Sequence, residues 1–220
     1  MHFLSLALYA EGPADYHFLR PLLLRLCEEL CQEANQPVEF PESVLALDHA
    51  QHLRDAPRDE RIAAAAREAR GAWRILFVHA DADGDAQRAR AERAQPGIDR
   101  LHQEFGGEGI GVAVVPVWET EAWAIADGDA LRLASGSNAS DKDMGLPPAH
   151  AVEATPDPKA VLDKAWRVAA AARKRQRSNV APMLSYLGET ITLARLRTLS
   201  AFQALEQDLR DALRGLRIIA

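Results

Sequence analysis

Four short runs of apolar, β-branched and aromatic residues recur along the chain, at residues 3–9, 44–47, 73–79 and 110–117. Each has the length and composition of a buried strand. Between them the apolar spacing becomes helical. Pro13 suits a first helical position, and Phe18, Leu22, Leu26 and Leu30 then repeat on one face. Residues 59–70, with four alanines at 63–66, predict a second helix. Residues 86–105 predict a third, broken near Pro96-Gly97. Strands alternating with helices call for a parallel sheet with right-handed crossovers, an α/β fold of about four strands flanked by helices.

Beyond Trp118 the pattern changes. A helix over residues 121–133 leads into Ala134-Ser-Gly-Ser-Asn-Ala-Ser140, and a proline-rich stretch covers residues 145–158. Residues 159–215 read as helix interrupted near Pro182 and Gly188, with Leu196, Leu199, Phe202, Leu205, Leu209 and Leu213 forming an apolar face. The expected organisation is an α/β domain over 1–140, a connection over 141–158, and a basic helical extension over 159–220 packed on that domain. No internal repeat or low-complexity tract interrupts it.

Composition fits this picture: 220 residues, 48% hydrophobic and 26% charged, suit a globular domain rather than a disordered tail. Two cysteines make neither a disulfide framework nor a four-thiolate zinc site, and the expectation is a reducing cytoplasm. Cys27 and Cys31, four apart on an apolar helix face, read as buried thiols. No apolar run is long enough to span a bilayer. Residues 3–10 are apolar and end in small residues, but no Lys or Arg precedes them and Glu11-Gly12-Pro13 follows, so a strand is expected rather than a secretion signal.

The net charge of −6 conceals a division. Residues 1–158 carry 14 basic and 27 acidic side chains, whereas residues 159–220 carry 12 basic and 5 acidic. The basic tract Arg173, Lys174, Arg175 and Arg177 stands in the second part, so the acidic total does not exclude a nucleic-acid partner.

The acids that matter stand where strands finish. The first strand runs into Glu11 and then Asp15, the third into Asp81, Asp83 and Asp85, and the fourth into Glu119 and Glu121. In a parallel sheet these ends share one edge, which is where such folds bind ligands. In an extended segment Asp81 and Asp83 would point the same way, with Cα atoms roughly 6.6 Å apart. Clustered carboxylates raise one another's pKa, and a divalent cation relieves that repulsion. Oxygen donors without Cys or clustered His indicate Mg²⁺ or Mn²⁺.

Asp81-Ala-Asp-Gly-Asp85 is not a calcium loop: Glu92 fills the twelfth place, but Gly84 is fourth rather than sixth. Capping of the next helix is the structural alternative for this segment, and first-turn dipole complementation the alternative for Asp15. His49 and His52 supply only two ligands. His79 reads as a hydrogen-bonded strand-end histidine, with proton transfer as the alternative. Trp118 and Trp123 read as packing residues. Gly106-Gly-Glu-Gly-Ile-Gly111 precedes a strand and so reads as a turn, and Ser135 and Ser137 lack a nucleophile elbow.

The order Tyr9-Ala-Glu-Gly-Pro-Ala-Asp15, His79-Ala-Asp-Ala-Asp-Gly-Asp85 and Pro116-Val-Trp-Glu-Thr-Glu-Ala-Trp123 resembles a TOPRIM domain, the metal-binding module of topoisomerases, bacterial primases and overcoming-lysogenization-defect nucleases. More narrowly, it is similar to bacterial TOPRIM-like proteins often encoded beside AAA-type ATPases, whose tail Arg173 to Arg177, Ala181-Pro182 and Leu196-Arg-Thr-Leu-Ser-Ala-Phe202 also resemble. The chain departs from that pattern at Asp15, where a second Glu is usual.

The resemblance implies metal-dependent phosphodiester hydrolysis in DNA or RNA, in anti-phage defence with an ATPase partner. It implies Glu11, Asp81 and Asp83 as catalytic residues, with Asp15, Glu119 and Glu121 completing the metal ligands. The basic tract would meet phosphates. The alternative is a non-catalytic TOPRIM-like subunit or sensor of an ATPase complex.

Overall fold

The computed structural model describes residues 1–171 and 180–220. In chain order the elements are β1 (His2–Phe3), β2 (Leu6–Tyr9), α1 (Pro13–Leu30), β3 (Val38–Glu39), β4 (Leu45–Leu47), α2 (Arg58–Glu68), β5 (Ile75–His79) and α3 (Ala86–Ala89). A π-helical turn (Arg90–Ala94) joins α3 to α4 (Gln95–Phe105), and β6 (Ile110–Val114) follows. The remainder is helical: α5 (Glu121–Ala124), α6 (Gly128–Ser135), α7 (Asp141–Met144), α8 (Pro158–Ala171), α9 (Val180–Thr190), α10 (Leu193–Leu196) and α11 (Ser200–Gly215).

Strands β4, β2, β5 and β6 lie side by side in that order, all parallel, and β1 pairs separately with β3. The fold is therefore α/β, a four-stranded parallel sheet flanked by helices with a helical C-terminal region. Strand alternation sorts the side chains into two layers. Leu6, Leu8, Ile75, Phe77, Val112 and Val114 face the cluster that contains Phe18, Leu22 and Leu26 of α1, Leu187 of α9, and Phe202, Leu205 and Leu209 of α11. Ala7, Tyr9, Leu76, Val78 and Ala113 face Ile62 and Ala66 of α2 and Leu101 and Phe105 of α4. A sheet buried on both faces explains why its strands read as continuous apolar runs rather than alternating ones.

Several boundaries differ from the periodic pattern. The helix expected to break at Pro96-Gly97 changes register earlier, in the π turn, and Pro96 then sits in the first turn of α4, where its missing N–H costs nothing. Pro182 likewise falls in the first turn of α9, and Gly188 lies inside that helix rather than ending it. Gly188 is there for contact: a Cβ on it would lie 2.2 Å from the Phe18 carbonyl oxygen of α1.

Among the described residues no helix is long and apolar enough to cross a membrane.

Candidate metal centre

The sheet order places a topological switch between β2 and β5. The chain leaves β2 through α1 on one face of the sheet and leaves β5 toward α4 on the other, so a crevice opens between their carboxyl ends. Asp15, from the first turn of α1, and His79 and Asp81, from the end of β5, meet at this point. Each can offer a ligand atom, and these atoms lie within 4.8 Å of one another. The group can hold a metal ion.

Thr120, buried beneath the cluster, fixes its hydrogen bonding. Its hydroxyl donates to Asp15 Oδ1 at 2.7 Å and lies 3.2 Å from His79 Nε2. A hydroxyl has one proton. With that proton on the carboxylate, the Thr120 oxygen accepts from Nε2–H, and in the neutral ring the free lone pair falls at Nδ1. His79 Nδ1 is buried without a hydrogen-bond partner, and it stands 3.6 Å from Asp15 Oδ2. Asp81 Oδ1 is also buried and unpartnered; its 3.2 Å approach to Nε2 is an electrostatic contact rather than a well-directed hydrogen bond. Buried acceptors without a hydrogen bond are costly in the fold, and a cation held among these groups would offset that cost.

Electrostatics around the cluster follow from its crowding. Full burial alone would lower the His79 pKa, but the carboxylates of Asp81, Asp15 and Glu11 outweigh it and hold the ring above its ordinary value. Burial raises the Glu119 pKa, reinforced by Asp81, and raises that of Glu121, reinforced by Glu119 and Asp15. Lys159, in the first turn of α8, opposes both shifts. Glu119 and Glu121 thus adjoin the same electrostatic site as Asp15 and Asp81.

The loop after β5 does not continue extended. Asp83 has φ 50° and Gly84 φ 95°, a left-handed turn that redirects the second aspartate. The turn is held by Ala82 N–H to Trp118 O (3.0 Å) and Gly84 N–H to Val117 O (2.7 Å), with the Trp118 ring against Gly84 where a Cβ would intrude. Asp83 therefore pairs with Arg93 at 3.0 Å, outside the Asp15, His79 and Asp81 group. Asp85 caps α3 by accepting from Arg88 N–H, as the structural alternative anticipated. Asp15 accepts from Gly12 N–H at 2.9 Å, tying the β2–α1 junction to the cluster. Glu11 stands on the rim, paired with Arg58 at 3.0 Å. Arg173, Lys174, Arg175 and Arg177 lie outside the described residues.

Four functional candidates escape a reading by motif. Thr120 stands between two acids already singled out and carried a signal in that position. Arg58 and Arg93 carried none, because they reach the site from α2 and the π turn, nor did Arg61, which adjoins Arg58 on α2. Arg58 donates to the carbonyls of His79 and Arg93, and Arg93 donates to the carbonyl of Asp81 at 2.7 Å. Compared with known proteins, the chain matches no family model, curated protein or solved structure.

Proposed function

We propose that the chain is a divalent-metal-dependent phosphodiesterase acting on nucleic acid. The observation that carries the reading is the pair of buried, unpartnered acceptors, His79 Nδ1 and Asp81 Oδ1, in a three-residue group at the switch point of a parallel sheet. The TOPRIM resemblance supports the reaction class. Asp15, His79 and Asp81 would hold the ion, with Glu119 and Glu121 beside them. An imidazole among carboxylates favours Mn²⁺ over Mg²⁺, since nitrogen donors suit the later metals. When bound, the ion supplies a Lewis acid for a phosphoryl oxygen and acidifies a coordinated water.

The chain's own residues prepare that site. Thr120 orients Asp15 and fixes the His79 tautomer, while Arg58 anchors Glu11 at the rim. Asp83 can join the ligands only by leaving Arg93. The test is Mn²⁺ and Mg²⁺ titration by calorimetry, followed by cleavage of DNA and RNA, on wild type and Asp81→Ala. Wild type should bind the ion and cut, and the variant should lose both by at least about 100-fold. Equal cleavage by the two proteins would remove Asp81 from the mechanism.

One observation favours the alternative of a non-catalytic subunit or sensor in an ATPase complex. Glu11, Asp15 and Asp83 each already have protein partners, so the folded chain satisfies three of the six candidate acids without any ion. Absence of metal binding at millimolar concentration would support that reading over hydrolysis.

A further inference from the structure

Beside the acidic cluster lies a group of cations that the metal reading does not use. Arg61, on the second turn of α2, is half-buried; its Nε is fully covered, and among the described residues that atom has no hydrogen-bond partner and the side chain makes no ion pair. This is unusual company for an orphan. Its electrostatic neighbours are Arg58, a second cation, and Tyr9, whose ring carries the Arg58 guanidinium at 5.7 Å. The Tyr9 hydroxyl meets His49 Nδ1 at 3.0 Å, and in either direction that bond leaves the pair one proton to donate elsewhere.

Arg58 itself is only partly used. Of its five N–H groups, three meet Arg93 O, His79 O and Glu11, leaving two. Glu11 neutralises one of the two arginines. The other has no ion-pair partner among the described residues, and its covered Nε–H lacks an acceptor, which is destabilising.

We propose that Arg61 and Arg58 form a phosphate-binding subsite on the Glu11 side of the metal cluster, and that its ligand is a backbone phosphate of a nucleic-acid strand. The planar guanidinium fork matches a phosphate's paired oxygens, which a lysine does not. Because Arg58 also bonds the His79 carbonyl and pairs with Glu11, a phosphate held there adjoins the cluster that would act on the next one. The identity of the ligand as nucleic acid rests on the proposed function; the anion subsite itself does not.

The experiment is anisotropy of a labelled single-stranded oligonucleotide in EDTA, so that neither metal nor cleavage enters. Arg61→Met should weaken binding roughly 10- to 100-fold, as loss of a charge-assisted contact does. It should lower the magnitude of the salt slope by about 0.7, one phosphate fewer. Arg61→Lys should recover part of the affinity. The melting temperature of Arg61→Met should equal or exceed that of wild type, since the change removes a covered unpaired donor and a like charge beside Arg58. A structural arginine would behave oppositely, losing stability. Unchanged affinity and slope in Arg61→Met, or no binding by wild type at low salt, would overturn the subsite. Tight competition by inorganic phosphate or a mononucleotide that is lost in the variant would overturn the strand as its ligand. A failed metal titration leaves this result standing, and failure here leaves the metal site standing.

Discussion

Thr120→Val isolates the hydroxyl that organises the cluster. Valine has nearly the shape of threonine, so the change removes hydrogen bonding without opening a cavity. Two contacts disappear: a donor to the Asp15 carboxylate at 2.7 Å and an acceptor for His79 Nε2 at 3.2 Å. The first is charge-assisted and contributes about 1.5–3 kcal/mol; the second, between ordinary polar groups, contributes about 0.5–1.5 kcal/mol. Thr120 and His79 are buried and Asp15 nearly so, and water does not replace what is lost. A net cost of roughly 2–4 kcal/mol corresponds at this chain length to a fall in Tm of roughly 5–15 °C. Thermal unfolding in EDTA measures it. Thr120→Ser keeps the hydroxyl and should lie much nearer wild type. In the same samples Mn²⁺ affinity should fall about 10- to 100-fold, the usual effect of releasing a group that orients a ligand. If Thr120→Val melts within about 1 °C of wild type and Thr120→Ser melts no differently, the hydroxyl does not hold the cluster and the tautomer assignment fails.

Gly188→Ala sets helix propensity, which favours alanine by about 1 kcal/mol, against a Cβ placed 2.2 Å from the Phe18 carbonyl oxygen and 2.7 Å from Pro21 Cγ. Backbone cannot yield as a side chain tip can, so overpacking of about 1–3 kcal/mol should win, together with weakened Arg25 donation to the Gly188 and Ile191 carbonyls; urea unfolding should show the midpoint falling. Asp127→Ala removes a buried carboxylate that accepts from Asp129 and Ala130 N–H at the start of α6 and from Thr192 N–H before α10, and should cost about 2–4 kcal/mol in the same assay. Burial pushes the Cys31 thiol up to about 11 and raises Cys27 well above its ordinary value, so thiol labelling at pH 8 should be slow in the folded chain and fast in urea. With its folded pKa raised, Cys31 favours the fold fully below the unfolded value of 9.0, and that contribution is lost as pH rises through about 11.

The strand ends were legible because each apolar run stops at an acid, and a parallel sheet brings such stops to one edge. Glu11, Asp15, Asp81, Glu119 and Glu121 share that edge for this reason. The direction of Asp83 was not, although Asp83-Gly84 is a turn dipeptide and that signal should have overruled the extended reading of Asp-x-Asp. His79 was visible only as a strand-end histidine. Its place in the donor set depends on Thr120, 41 residues away, and on which ring nitrogen the hydroxyl leaves free. Contacts of that kind are set by tertiary packing and leave no periodic trace.

Charge makes the same point in another form. Counted by position, cations outnumber acids only in residues 159–220, and the first 158 residues are strongly acidic. Counted by place, Arg58 and Arg93 touch the candidate site's acids or its backbone, and Arg61 adjoins Arg58. All three come from the acidic part of the sequence; among the described residues Lys159 is the cation of the basic part that acts on Glu119 and Glu121. The field a polyanion would meet at the crevice is therefore mixed on a scale of a few ångströms, within a Debye length at physiological salt. Such a field attracts a phosphate chain only if the carboxylates are neutralised first. Metal binding and strand binding should then be positively coupled: by linkage, any factor by which Mn²⁺ tightens oligonucleotide binding must equal the factor by which the oligonucleotide tightens Mn²⁺.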